Sequence, residues 1–221
     1  MSGKLIVIEG LDGSGKATQT ALLCSYIGKK GISYKKLSFP DYDSPASSAV
    51  KMYLNGEFSS APNGVNAYAA SSFYAVDRCV SFLKKWQKEY NSGELLIADR
   101  YAESNIVYQS GKLPVEERDA FIEWAEDFEY VKLGIPKPDL VIYLDMSVDV
   151  SQKLLSERYG GDESKKDIHE SSVAFLKQCR NVALYAAQKL DWKIVKCDDG
   201  KNPRSIDDIA ADIINIADKI L

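Results

Sequence analysis

Histidine is nearly absent. His169 is the only one in 221 residues, and the four cysteines, Cys24, Cys79, Cys179 and Cys197, form no C-x-x-C pair. This excludes a His-rich metal centre and a zinc site at recognisable spacing. No apolar run approaches the roughly 20 residues that span a bilayer. LIVI (5–8) stops at Glu9, too soon for a secretory leader. An excess of basic residues is missing as well: the net charge is −4, so neither a nucleic-acid partner nor a membrane partner is expected. The cysteines sit in apolar or helical surroundings and read as reduced thiols, which points to a cytoplasmic protein.

What is present is an alternation of short apolar strands and long helical patterns. Strands are expected at 4–9, 33–39, 94–99, 139–145 and 192–197, three of them almost continuously apolar, as in a parallel sheet covered on both faces. Helical periodicity fills 15–29, 44–55, 66–91, 104–110, 115–132, 148–158 and 168–190. A last helix is expected to be capped by Asn202 and opened by Pro203, with Ile206, Ile209, Ile213, Ile216 and Ile220 as its core stripe. Gly28, Gly93 and Gly134 read as helix stops. No linker or repeat divides the chain. The expectation is one α/β domain over 1–221, a doubly wound five-stranded parallel sheet with helices on both faces. Its ligands belong at the carboxyl ends of the strands.

GLDGSGKATQ (10–19) follows the first strand and opens the first helix. Gly10, Gly13 and Gly15 let backbone N–H groups converge on phosphate oxygens, Lys16 adds a point charge, and the helix N-terminus adds its dipole. The pattern is G-x-x-x-x-G-K-[ST] except at its end. Ala17 stands where a hydroxyl usually helps hold Mg²⁺, and Thr18, about 100° further round the helix, is a poor substitute. In LLIADRY (95–101), Asp99 ends a buried strand at the same rim, where it can order Mg²⁺. Arg100 beside it suits two phosphates at once. In SNIVYQ (104–109), Asn105 shares a helix face with Tyr108 and Gln109 and could read a sugar or base. Tyr74 and Arg78, four apart, suit a planar base. Taken alone, the last two sets read better as an exposed helix face, a core tyrosine and a surface arginine.

Taken together, GLDGSGK, FPDY, DRYAESNIVYQ and LGIPKPDLVIYLD, in this order and spacing, resemble the thymidylate kinase family of P-loop nucleoside monophosphate kinases, over nearly the whole chain. The resemblance implies transfer of the γ-phosphoryl group of ATP to dTMP, giving dTDP and ADP for dTTP synthesis, with Mg²⁺ and as a homodimer. It implies that Gly10, Leu11, Asp12, Gly13, Ser14, Gly15, Lys16, Ala17 and Thr18 hold ATP, with Arg158 from a lid at 158–167. It gives Lys16, Asp99 and Arg100 catalytic tasks, with Asp99 on the metal. Asp12 would accept from the 3′-hydroxyl of dTMP, Tyr74 would stack on thymine, and Arg78 would donate to a thymine carbonyl. Phe39, Pro40, Tyr42, Ser104, Asn105, Tyr108 and Gln109 complete the implied dTMP site, Tyr108 standing where a 2′-hydroxyl would clash. Two positions depart from the pattern. Tyr42 stands where many members have an arginine, and Gly13 where some carry another. The missing charge is expected from Arg158, Lys165 or Lys166. Two other readings stay open: another kinase of nucleosides or their monophosphates, and, given Ala17, a loop that only binds nucleotide.

Overall fold

The computed structural model describes residues 2–162 and 166–221. The expected lid positions 163–165, Lys165 among them, lie outside the described residues. Five strands, β1 (Lys4–Gly10), β2 (Tyr34–Ser38), β3 (Leu95–Asp99), β4 (Leu140–Asp145) and β5 (Lys193–Lys196), form one sheet in the order β2-β3-β1-β4-β5. Every pairing is parallel. The expected fold class is therefore observed.

The helices are α1 (Lys16–Lys29), α2 (Ser48–Leu54), α3 (Ala67–Ser81), α4 (Gln87–Asn91), α5 (Glu103–Ser110), α6 (Arg118–Glu126), α7 (Val148–Arg158), α8 (Val173–Lys189) and α9 (Ile206–Ala217). Successive side chains of β1 point to opposite faces. Ile6 and Ile8 pack with Leu23 and Ile27 of α1 and Ile209 and Ile213 of α9. Leu5 and Val7 pack with Val107 of α5, Phe121 of α6 and Leu176 of α8. Each such buried side chain contributes roughly 1.5–3 kcal/mol. Two-sided burial explains why the strands read as unbroken apolar runs.

Some local expectations are corrected. The last helix is capped by Ser205, whose hydroxyl accepts from the Asp208 N–H at 3.1 Å, while Asn202 and Pro203 lie in the turn before it. Ile206 is therefore outside the core stripe and 56% exposed. The stop after α1 is Gly31, at φ +74°, because Gly28 is still helical. The long pattern 66–91 contains a π-helical stretch, Phe82–Trp86, and 115–132 ends in another, Asp127–Lys132. The helix expected from 168 starts at Val173, with Ser172 as its cap.

β1 lies between β3 and β4, so the chain reverses its winding beside it, and a crevice opens at the carboxyl ends of these strands. Ile8 and Ser38 both stand level with Asp99, which brings the loop after β1, Phe39 and the Asp99–Arg100 pair to one rim. The loop rests against α7. Gly13 has φ +79°, and a Cβ there would meet the Ser151 carbonyl oxygen at 2.5 Å. The absence of an arginine at this position is thus steric: the loop is packed too closely on α7 to carry a side chain. Gly13→Ala is expected to lower unfolding free energy by about 1–3 kcal/mol, the scale of a strained φ, read from urea denaturation. An unchanged midpoint would mean that loop and helix separate freely.

Candidate active site

Arg100 organises the crevice. It has φ +65°, uncommon for a non-glycine residue, and its N–H donates to the Ile8 carbonyl at 3.1 Å, which ties that backbone to β1. The guanidinium turns inward. Nη1 donates to the Gly10 carbonyl at 3.2 Å and reaches Glu9 Oε1 and Ser104 Oγ at 3.4 Å. Nη2 is ion-paired with Asp12. Ser104 Oγ donates to the other oxygen of Glu9 at 2.8 Å, and the Tyr108 hydroxyl donates to Asp12 Oδ2, also at 2.8 Å. Burial raises the pKa of Glu9, against the attraction of Arg100 and Lys16. At Asp12 burial acts the same way, but Arg100 and Lys16 outweigh it and hold the carboxyl well below the usual range.

Two chambers meet at this arginine. Both are lined by Asp12, Phe39, Pro40, Tyr42, Arg100 and Asp167. The first adds Tyr74, Arg78, Ser104, Asn105, Tyr108 and Gln109, which the family resemblance implied for one ligand. The second adds Gly13, Gly15, Lys16, Ala17, Asp99 and Arg158. Lys16 Nζ donates to the Leu11 carbonyl at 2.8 Å. Burial, with the charge of Arg100, lowers its pKa to about 8. Leu11 and Ser14 themselves are buried, with Ser14 Oγ lacking a partner among the described residues. Gly10 lines neither chamber: its N–H donates to Glu9 Oε1 at 3.0 Å and its carbonyl accepts from Arg100. Thr18 is exposed on α1, away from both chambers. Among the described residues no hydrogen bond or ion pair engages the Asp99 carboxylate, although it lines the second chamber with Lys16 and Ala17. Of the residues expected to supply positive charge, Arg158 lines that chamber, whereas Lys166 Nζ donates to Gln152 Oε1 at 2.9 Å. Tyr42 lines both chambers, with its phenol pushed up to about 12 by burial and by Asp167.

Arg78 is not a surface residue. It is buried and pairs with Glu129: Nε donates to Oε2 at 2.8 Å, Nη2 pairs with Oε1, and Nη1 reaches the Tyr101 carbonyl at 3.3 Å. Asn105 Nδ2 donates to the same carboxylate at 2.8 Å and to the Ser71 carbonyl at 3.1 Å, which fixes the amide's orientation. Glu129 accepts from Nε and Nη2 and the Tyr101 carbonyl from Nη1, so three of the five Arg78 N–H groups are engaged among the described residues and one on each Nη atom is left for the chamber.

Sequence reasoning missed Glu9, Glu129, His169, Asp167 and Glu170. A charged residue closing the apolar run LIVI was a usable signal for Glu9, since a buried carboxylate needs a partner. Glu129 lies in a π-helical stretch, where ordinary helical spacing misplaces it. Asp167 and Glu170 put acid where base was expected. Asp167 lines both chambers, and burial with the nearby Asp12 charge lifts its pKa to about 7.

The comparisons with known proteins agree with this geometry. The family model described as thymidylate kinase matches residues 8–207. The chain belongs to the thymidylate kinase family. The kinase activity expected from the sequence goes with that membership. Thymidylate kinase from Mycobacterium tuberculosis (strain H37Rv) is 31% identical over 82% of this chain and 84% of its own. That from Dictyostelium discoideum is 28% identical over 98% of this chain and 85% of its own. A solved structure of thymidylate kinase from Candida albicans superposes with a TM-score of 0.72 at 23% identity, covering 99% of this chain and 92% of that one, and so shares the fold.

Behind the site, Glu103 is buried and accepts from the Tyr130 hydroxyl at 2.5 Å, and burial lifts its pKa to about 7. An acid raised on folding favours the folded state below its unfolded pKa and loses that advantage as pH rises through the folded value. Relative to Glu103→Gln, the wild type is expected to lose on the order of 2–4 kcal/mol between pH 4.5 and 7.5. Parallel stability curves for the two proteins would contradict the assignment.

Proposed function

We propose that the crevice transfers the γ-phosphoryl group of ATP to the 5′-phosphate of dTMP, with Arg100 reaching both phosphates. The observation that carries this is the position of Arg100 at the junction of the two chambers, its guanidinium already aimed by Glu9 and Asp12. An oxygen of the dTMP phosphate attacks Pγ, the bond from Pγ to the β-bridging oxygen breaks, and ADP leaves. The acceptor is an anion at neutral pH, so no protein base or nucleophile is needed, and catalysis is positioning plus charge neutralisation. Lys16 exchanges its Leu11 carbonyl for phosphate oxygens, and the loop N–H groups cradle the same phosphates. Tyr74 stacks on thymine, Arg78 offers its remaining N–H groups to a base carbonyl, and Asp12 takes the 3′-hydroxyl. Segment 158–167 acts as the lid of this single domain, a reading supported by Arg158 and Tyr159 in the wall of the second chamber.

The donor set fits Mg²⁺ bound mainly to nucleotide. Among the described residues Asp99 is a carboxylate without another partner, Glu9 and Asp12 are committed to Arg100, and no group of three metal-ligating side chains occurs. Such an ion neutralises phosphate charge when bound. Losing the neutral ligand at Ala17 is tolerable because water replaces it. Asp99→Asn is therefore expected to raise the Mg²⁺ needed for half-maximal rate more than about tenfold, and Ala17→Ser to change it less than about threefold. A protein inert until Ala17→Ser is made would favour the binding-only reading.

A homodimer is supported by Val76 and Leu83, one heptad apart on α3 and its continuation, which are 50% and 59% exposed. Val76→Glu is expected to halve the mass measured by light scattering, and a wild type that is already monomeric would remove the proposal. The reaction itself is tested by a coupled assay with ATP and dTMP, dUMP, dCMP or thymidine. Turnover is expected with dTMP and none with thymidine, which lacks the acceptor phosphate. Preference for thymidine would make it a nucleoside kinase.

A further inference from the structure

His169 lines the first chamber beside Asp12 and Tyr108, and the reaction described above gives it no task. The ring is 4% exposed. It stacks on Tyr108 at 5.2 Å and 17°, meets the Tyr53 ring edge-on at 5.4 Å, and lies 5.3 Å from Phe175. Asp167 fixes its backbone, with Oδ1 accepting from the N–H of His169 at 2.8 Å and of Glu170 at 2.9 Å. Ring and backbone are both held.

The hydrogen bonds behind the ring have a direction. Lys112 Nζ lies 2.8 Å from the Tyr53 hydroxyl and 3.0 Å from the Val65 carbonyl. An ammonium group has only protons to give, so the Tyr53 oxygen accepts there. The phenol proton then goes to the nearer acceptor, His169 Nε2 at 2.8 Å, rather than to the Pro62 carbonyl at 3.4 Å. Burial and the Lys112 charge lower the imidazole pKa to about 3, so the ring is neutral at working pH. A neutral ring that accepts at Nε2 carries its proton on Nδ1. Nδ1 has no hydrogen-bond partner among the described residues.

We propose that His169 is a specificity-determining residue of the acceptor site: the chain Lys112–Tyr53–His169 holds the imidazole as its Nδ1–H tautomer, and Nδ1–H donates to a sugar oxygen of the bound nucleoside monophosphate. The sugar is assigned because the ring stacks on Tyr108, whose hydroxyl is bonded to Asp12, and the proposed function puts the 3′-hydroxyl on that carboxylate. The inference rests on the reading of this chamber as the acceptor site. Lys112 and Tyr53 are positioning residues, since they act through the imidazole.

The chain's single histidine makes the test direct. In protein carrying ¹⁵N-histidine, one pair of ring nitrogens is observed, and Nδ1 is expected to bear the proton before any nucleotide is added. Saturation with dTMP is expected to shift Nδ1–H and slow its exchange. Lys112→Met is expected to mix the two tautomers in a folded protein. His169→Phe keeps a stacking ring and removes the donor, so KM for dTMP should rise about 3–10-fold while KM for ATP stays put. An Nε2–H tautomer in the wild type, or an unchanged KM for dTMP in His169→Phe, overturns the proposal. Calorimetry on the labelled sample separates two failures. Heat of dTMP binding with an unmoved Nδ1 overturns the histidine inference alone, whereas no heat at all overturns the acceptor-site reading and the inference with it.

Discussion

The structure of the crevice depends on one largely enclosed cation, 15% exposed, shared between two carboxylates. Arg100 leaves β3 in a left-handed backbone conformation and puts its guanidinium between Glu9, fully buried at the end of β1, and Asp12 in the glycine loop. Burying charge is expensive, and a buried ion pair is often no more stabilising than apolar residues of the same volume. The arrangement is better understood by what it positions. Glu9 orients Ser104 and the arginine, Asp12 orients Tyr108 and the arginine, and both chambers converge on the same N–H groups. Charge held in advance is available to phosphates without reorganisation.

A second buried pair repeats the logic at the far end of the first chamber. Glu129 clamps Arg78 by its edge and also fixes the Asn105 amide. An arginine free to rotate would lose side-chain entropy on meeting a ligand, whereas one fixed by its Nε edge loses little. The same segment of helix thus supplies neither contact nor chemistry of its own, yet sets the direction of two side chains that line the chamber. The acidic residues at and after the end of the expected lid extend the theme. Asp167 orders the backbone turn that carries His169, while its own carboxylate is pushed towards neutrality by burial and Asp12.

Much of this was legible in the sequence because it is written locally. Apolar runs gave the five strands, the glycine pattern gave the loop and the start of α1, and DRY at a strand end placed Asp99 and Arg100 on the loop's rim. The two buried ion pairs that were not legible join residues far apart in the chain. Glu129 meets Arg78 across 51 positions and Glu9 meets Arg100 across 91, and no periodicity encodes such pairs. The cap of α9 was misplaced for a different reason. Asn202-Pro203 and Ser205 each match a start signal, and only the bonded turn before the helix chooses between them. His169 carried no local pattern at all; its surroundings come from α2, α5 and α8.

The central claim is that a preorganised Arg100 stabilises the transferring phosphoryl group rather than the fold or the resting nucleotide complex. It is tested most directly by steady-state kinetics of Arg100→Lys with ATP and dTMP, alongside calorimetric ATP binding and a thermal melt of the same sample. A lysine keeps the charge and cannot span two phosphates. The account predicts a fall in kcat of about 10²–10³, the scale for removing one preorganised transition-state donor, with ATP affinity and melting temperature little changed. Retention of kcat within a few-fold of wild type would contradict it.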